Sequence, residues 1–135
     1  MPLVYVDTNV IVRFLTRFPA AQYARSRALM DRVSRGEVEL LLLPAVVGEV
    51  AAILHHSYKL PQRDVAERLT AFVTARGVRT DEEPIVLAAL QQSRNLKDVD
   101  FIDAYVAARA GADGHAVATF DNDLPRKLGA AVFTF

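Results

Sequence analysis

Short apolar runs alternating with longer segments of helical spacing constrain this chain most strongly. Leu3 to Val6, Glu39 to Leu43, Val78 to Thr80, His115 to Thr119 and Ala131 to Phe135 read as strands. Between them lie stretches whose apolar residues recur at helical intervals, such as Val65, Leu69, Phe72 and Val73 after Leu60-Pro61. The helices expected run from Asp7-Thr8-Asn9 towards Pro19, from Ala20 to about Ser34, and from Ala45 to His56 with Pro44 in the first turn. Further helices are expected after Pro61 to near Gly77, after Pro84 to about Ser93, and from Asp100 to Ala110 closed by Gly111, with a short helical piece from Asp121 to Leu128. Strands this short and apolar, separated by helices, predict an α/β fold of three layers, α/β/α, around a central parallel sheet.

At 135 residues with 52% hydrophobic side chains, the chain is expected to form one domain over 1–135 with a sizeable core. It has no apolar stretch of about 18 residues and no signal-like N-terminus, so a cytoplasmic protein without membrane contact is expected. Cysteine is absent, which excludes disulfides, thiolate nucleophiles and sulfur-ligated zinc. Sixteen basic and sixteen acidic residues cancel, so bulk charge makes no case for nucleic acid. Within residues 1–36, however, Arg13, Arg17, Arg25, Arg27, Arg32 and Arg35 face only Asp7 and Asp31. That imbalance suits either a basic strip or a solvated helix face.

The acids carry more information. In an open α/β sheet, ligands bind beyond the carboxyl ends of the strands. Asp7 and Asp121 each follow an apolar run and should stand at that edge, although an Asp there often only caps the next helix. Glu49 and Asp103 interrupt helices otherwise rich in apolar residues, with Ala45, Val46, Ala52 and Ile53 around the first and Val99, Val106 and Ala107 around the second. Both are therefore expected to face inward. A carboxylate removed from water must be paired, protonated or bound to a metal, and Arg109 is one available partner.

With neither cysteine nor a His-x-x-x-His pair, such a cluster would offer oxygen ligands, which select Mg²⁺ or Mn²⁺. His55 and His56 are adjacent and point apart on a helix, and His115 begins a strand; all three read as ordinary surface or core residues. Clustered carboxylates holding hard cations suit phosphodiester hydrolysis. Asn9 and Thr119 lie close to Asp7 and Asp121 and could orient ligands through neutral hydrogen bonds. Asp123 is either a further ligand or an exposed first-turn acid, and Asp100 is expected to cap the helix carrying Asp103. Arg13 and Arg17 lie one turn apart after Asp7 and could contact the phosphates of a nucleic acid, with a contact to a partner protein or a plain solvated face as the alternatives.

At four places the sequence resembles a PIN domain, most closely the VapC toxins of toxin–antitoxin pairs. These are Val4-Tyr5-Val6-Asp7-Thr8-Asn9-Val10, Val47-Gly48-Glu49-Val50, Asp100-Phe101-Ile102-Asp103-Ala104 and Thr119-Phe120-Asp121-Asn122-Asp123-Leu124. Their order and spacing agree along the whole chain. The resemblance implies Asp7, Glu49, Asp103 and Asp121 as catalytic metal ligands, with Asp123 auxiliary and Asn9 and Thr119 supporting. It also implies selective RNA cleavage, a homodimer, and inhibition by a cognate antitoxin. Haloacid-dehalogenase chemistry is disfavoured, because it wants an acid two residues after the first Asp and Asn9 stands there. Flap-type DNA nucleases are larger. A housekeeping RNA-processing nuclease and a non-catalytic binding module remain as alternatives.

Overall fold

The structure is a computed structural model describing residues 1–135. Three parallel strands, β1 (Leu3–Tyr5), β2 (Glu39–Leu42) and β3 (Val78–Thr80), form a sheet in the order β1-β2-β3. Parallel neighbours cannot be joined by a tight turn, so each connection is a helical crossover. The first crossover contains α1 (Thr8–Thr16) and α2 (Ala20–Ser34), and the second contains α3 (Pro44–Ala52) and α4 (Gln62–Val73). After β3 come α5 (Glu83–Asn95), α6 (Phe101–Asp113) and the single turn of α7 (Leu124–Leu128). The arrangement is the expected three-layer α/β/α fold.

The core sits on the middle strand. Leu40 and Leu42 are fully buried between Ile11 and Val12 of α1, Val47 and Val50 of α3, and the inner faces of α4 and α5, including Leu69, Val73 and Leu90. Removing a buried leucine from such a cluster costs about 2–5 kcal/mol. Gly77 is required where α4 turns into β3. Its φ is +84°, and a Cβ there would lie 3.0 Å from the Val33 carbonyl oxygen and 2.6 Å from Val33 Cγ1.

Three expectations need correction. The helix expected over Ala45 to His56 is α-helical only to Ala52; Ile53–Ser57 form a π-helical turn, and His55 Nδ1 lies 2.8 Å from the Leu60 carbonyl. The strands expected at His115–Thr119 and Ala131–Phe135 shrink to one parallel bridge between Val117 and Val132, with Val117 N–H donating to Ala131 O at 2.8 Å and Phe133 N–H to Val117 O at 2.9 Å. Only Val117 of its run is buried, because its neighbours Ala116 and Ala118 offer little apolar area to cover. Consequently β1 lies at the edge of the sheet, with Leu3, Val4 and Tyr5 exposed. The helix carrying Asp103 also runs past Gly111 to Asp113 and is closed by left-handed Gly114.

Candidate functional site

Asp7 stands between the end of β1 and the first turn of α1, in the extended N-cap conformation. Its carboxylate makes no capping hydrogen bond, so the usual structural use of an Asp at this position is not realised. The next residue, Thr8, is buried, and its Oγ1 donates to Glu49 Oε2 at 3.0 Å, linking the start of α1 to α3. Thr8 escaped the sequence reading; its signal is a hydroxyl directly beside the strand-end acid.

Glu49 and Asp103 do not face inward. Both are exposed. On α3, Ala45, Glu49 and Ala52 share one exposed stripe at i, i+4 and i+7, while Val47, Gly48, Val50 and Ala51 are buried. Because the helix is apolar on nearly every side, periodicity could not mark its inner face. On α6 the buried positions are Phe101, Ala104 and Ala107, leaving Ile102, Asp103 and Val106 outside. Nor does Arg109 pair with either acid; its Nε binds Glu82 at 2.8 Å and its Nη1 binds Asp113 at 3.1 Å.

Around Asp103 the acids are crowded. Asp100 caps α6 as expected, its Oδ1 accepting the Asp103 N–H at 2.9 Å. Burial first, then the charges of Asp100 and Asp121, push the Asp103 carboxyl above its ordinary value, and Lys127 partly offsets them. Asp121 is held by its own loop: its N–H donates to Thr119 Oγ1 at 3.0 Å, and its Oδ1 accepts the Asp123 N–H at 2.9 Å. Thr119 thus holds the backbone of Asp121 and makes no bond to its carboxylate. Asp123 lies 3.3 Å from Arg126 Nη2.

The two groups meet where α3 crosses the start of α6. A Cβ on Gly48 would lie 2.5 Å from Ile102 Cδ1, so the residue before Glu49 presses against the residue before Asp103. The donor chemistry, carboxylate oxygens throughout, fits a hard divalent cation. The grouping is split, however, and nowhere are three or more acidic or histidine side chains placed to hold one ion. Asn9 forms no side-chain hydrogen bond and opens into a groove beside Arg13. Arg17 ends α1 with a left-handed φ of 59° and lines a different groove with Arg27, Arg68 and Arg76.

A model of the PIN domain matches residues 4–129. The chain belongs to the PIN-domain family. PIN domains are generally nucleases that act on RNA and generally use divalent metal ions, which agrees with the exposed carboxylate of Asp7 at the end of β1. Among curated proteins none matches the chain. No helix of this PIN domain is long and apolar enough to cross a membrane.

Proposed function

We propose that this PIN domain, a single domain over residues 1–135, is an endoribonuclease dependent on Mg²⁺ or Mn²⁺ and acts as the VapC-type toxin of a toxin–antitoxin pair. The observation that carries the reading is the uncapped carboxylate of Asp7 at a strand end beside Thr8, which fixes Glu49. Asp7, Glu49, Asp103 and Asp121 are assigned as the metal ligands, with Asp123 auxiliary. Bound to these carboxylates, the cation would supply a hydroxide at neutral pH and neutralise charge on the scissile phosphate.

The protein's own groups do the positioning. Thr8 orients Glu49, Thr119 holds the loop of Asp121, and Asp100 secures the first turn of α6. Asn9 supports the ligands from the start of α1. Arg13 contacts an RNA phosphate, and Arg17 contacts a strand long enough to pass the end of α1. A homodimer fits the apolar groups left uncovered at the β1 edge and at Phe120, Phe133 and Phe135. A cognate antitoxin and a cytoplasmic setting go with the toxin assignment.

Cleavage of RNA by the purified protein, with Mn²⁺ or Mg²⁺ against EDTA, tests the reading. Cleavage should stop in EDTA while the circular-dichroism spectrum stays folded, because the apolar cluster around β2 makes the core. Asp7→Asn should lower the rate more than about 100-fold, since residues that merely orient a metal ligand already cost about 10–100-fold. Wild-type protein that binds RNA but never cuts it with either ion would make the chain a binding module instead. Induction that leaves growth unaffected, despite cleavage in vitro, would favour the housekeeping nuclease.

A further inference from the structure

The arginines divide sharply. Arg13, Arg17, Arg25, Arg27, Arg68 and Arg76 have no carboxylate partner, whereas every other arginine forms an ion pair. The unpaired ones line two grooves flanking the contact between α1 and α2. Only the groove holding Arg13 and Arg25 also contains Asn9, two residues from Asp7. Its floor includes buried Ser26, and no acid lines it.

Within that groove Arg13 is aimed. Its Nε donates to Gln22 Oε1 at 2.7 Å, anchoring the guanidinium to α2 and leaving its terminal nitrogens free to form a fork. Arg25 lies three residues beyond Gln22, on the same face of α2. Asp7 and Arg13 are six residues apart, about 9 Å along the axis at helical rise.

We propose that Arg13 and Arg25, with Gln22 as the positioning residue for Arg13, form a subsite for an RNA phosphate neighbouring the one at the carboxylates. The assignment rests on the nuclease reading above and extends it. A polyanion approaching exposed acids meets repulsion, and two unpaired guanidinium groups within a helical turn or two offset it. Such a subsite binds backbone and is indifferent to base sequence.

The test is fluorescence anisotropy of labelled oligouridylate on the full-length protein in EDTA, over about 50–200 mM salt. Arg13→Ala with Arg25→Ala should weaken binding about tenfold and make the log–log salt slope about 1.4 shallower, the loss expected for two phosphate contacts on a single strand. Arg13→Lys with Arg25→Lys should restore the slope, since the charges remain. With an oligouridylate too short to pass the end of α1, Arg27→Ala with Arg76→Ala, in the other groove, should leave both readings at wild type. An unaltered slope in the alanine pair, or wild-type protein without salt-dependent RNA affinity, overturns the subsite. Tighter binding of labelled polyglutamate than of oligouridylate through the same two arginines would overturn it in favour of an acidic protein segment. Because cleavage plays no part in this readout, an unaltered slope leaves the nuclease reading standing. Intact binding without Mn²⁺-dependent cutting removes the nuclease reading instead.

Discussion

The Asp7 and Glu49 half of the site is built differently from the half that carries Asp103 and Asp121. In the first, Thr8 is buried and joins two helices rooted in the core, and its hydroxyl gives Glu49 a neutral partner. In the second, burial and then the charges of Asp100 and Asp121 make Asp103 harder to ionise, with Lys127 partly offsetting them, and the chain after α6 is tied down by a single bridge and one short turn. The first half is organised by packing and hydrogen bonding. The second consists of acids crowded together, and a bound cation would relieve that repulsion.

If packing organises the first half, its weakest point is the Thr8 hydroxyl. Thr8→Val keeps the shape but removes the only side-chain hydrogen bond to Glu49. RNA cleavage should fall about 10–100-fold, the range for losing a group that orients a metal ligand. Stability should drop by about 0.5–1.5 kcal/mol, read by urea unfolding. Wild-type cleavage in this variant would mean that Glu49 needs no orientation by Thr8.

Gly48→Ala probes the join between the halves. The new methyl must displace Ile102 Cδ1, the end of a half-exposed side chain that can turn away. Alanine also gains about 1 kcal/mol of helix propensity over glycine, so the melting temperature should change by only a few degrees. Cleavage should fall several-fold as the displaced Ile102 side chain crowds its neighbour Asp103, and Ile102→Ala in the same protein should recover it. Failure of the double change to recover activity would remove the join from the account.

The smallest effect expected is on pH dependence. Asp103 has a folded-state pKa above its ordinary value of 3.8, so the folded protein holds that proton more tightly than the unfolded chain. Stability should therefore decline as pH rises from the ordinary value through the raised one, and the cost is fully present above it. Asp103→Asn removes the cost, so metal-free variant protein should melt slightly above wild type at neutral pH. The difference should vanish below the ordinary carboxylate range. Scanning calorimetry across pH checks this, and a variant that melts lower at neutral pH would show that ionised Asp103 carries no such cost.

Much of the frame was legible in the residues. The run from Leu3 to Val6 ends at Asp7 and Asp100 caps α6, because strand ends and caps are local and carry local signals. What failed was long-range. The inner face of α3 was hidden because its apolar residues surround it, and the weak pairing of Val117 depends on how little its alanine neighbours can bury. Arg17 follows Arg13 by one helical turn, yet the left-handed residue ending α1 sends it to another groove, a change that spacing alone does not register.

If the two halves serve one cation, neither should bind it well alone. Calorimetric titration of Mn²⁺ into wild type, Asp7→Asn and Asp121→Asn tests it most directly. Saturable binding to wild type is expected, weakened more than about tenfold by either substitution, together with a rise in melting temperature on Mn²⁺ addition in wild type alone. Binding lost in Asp7→Asn but untouched in Asp121→Asn would contradict it, leaving the acids after α6 outside the site.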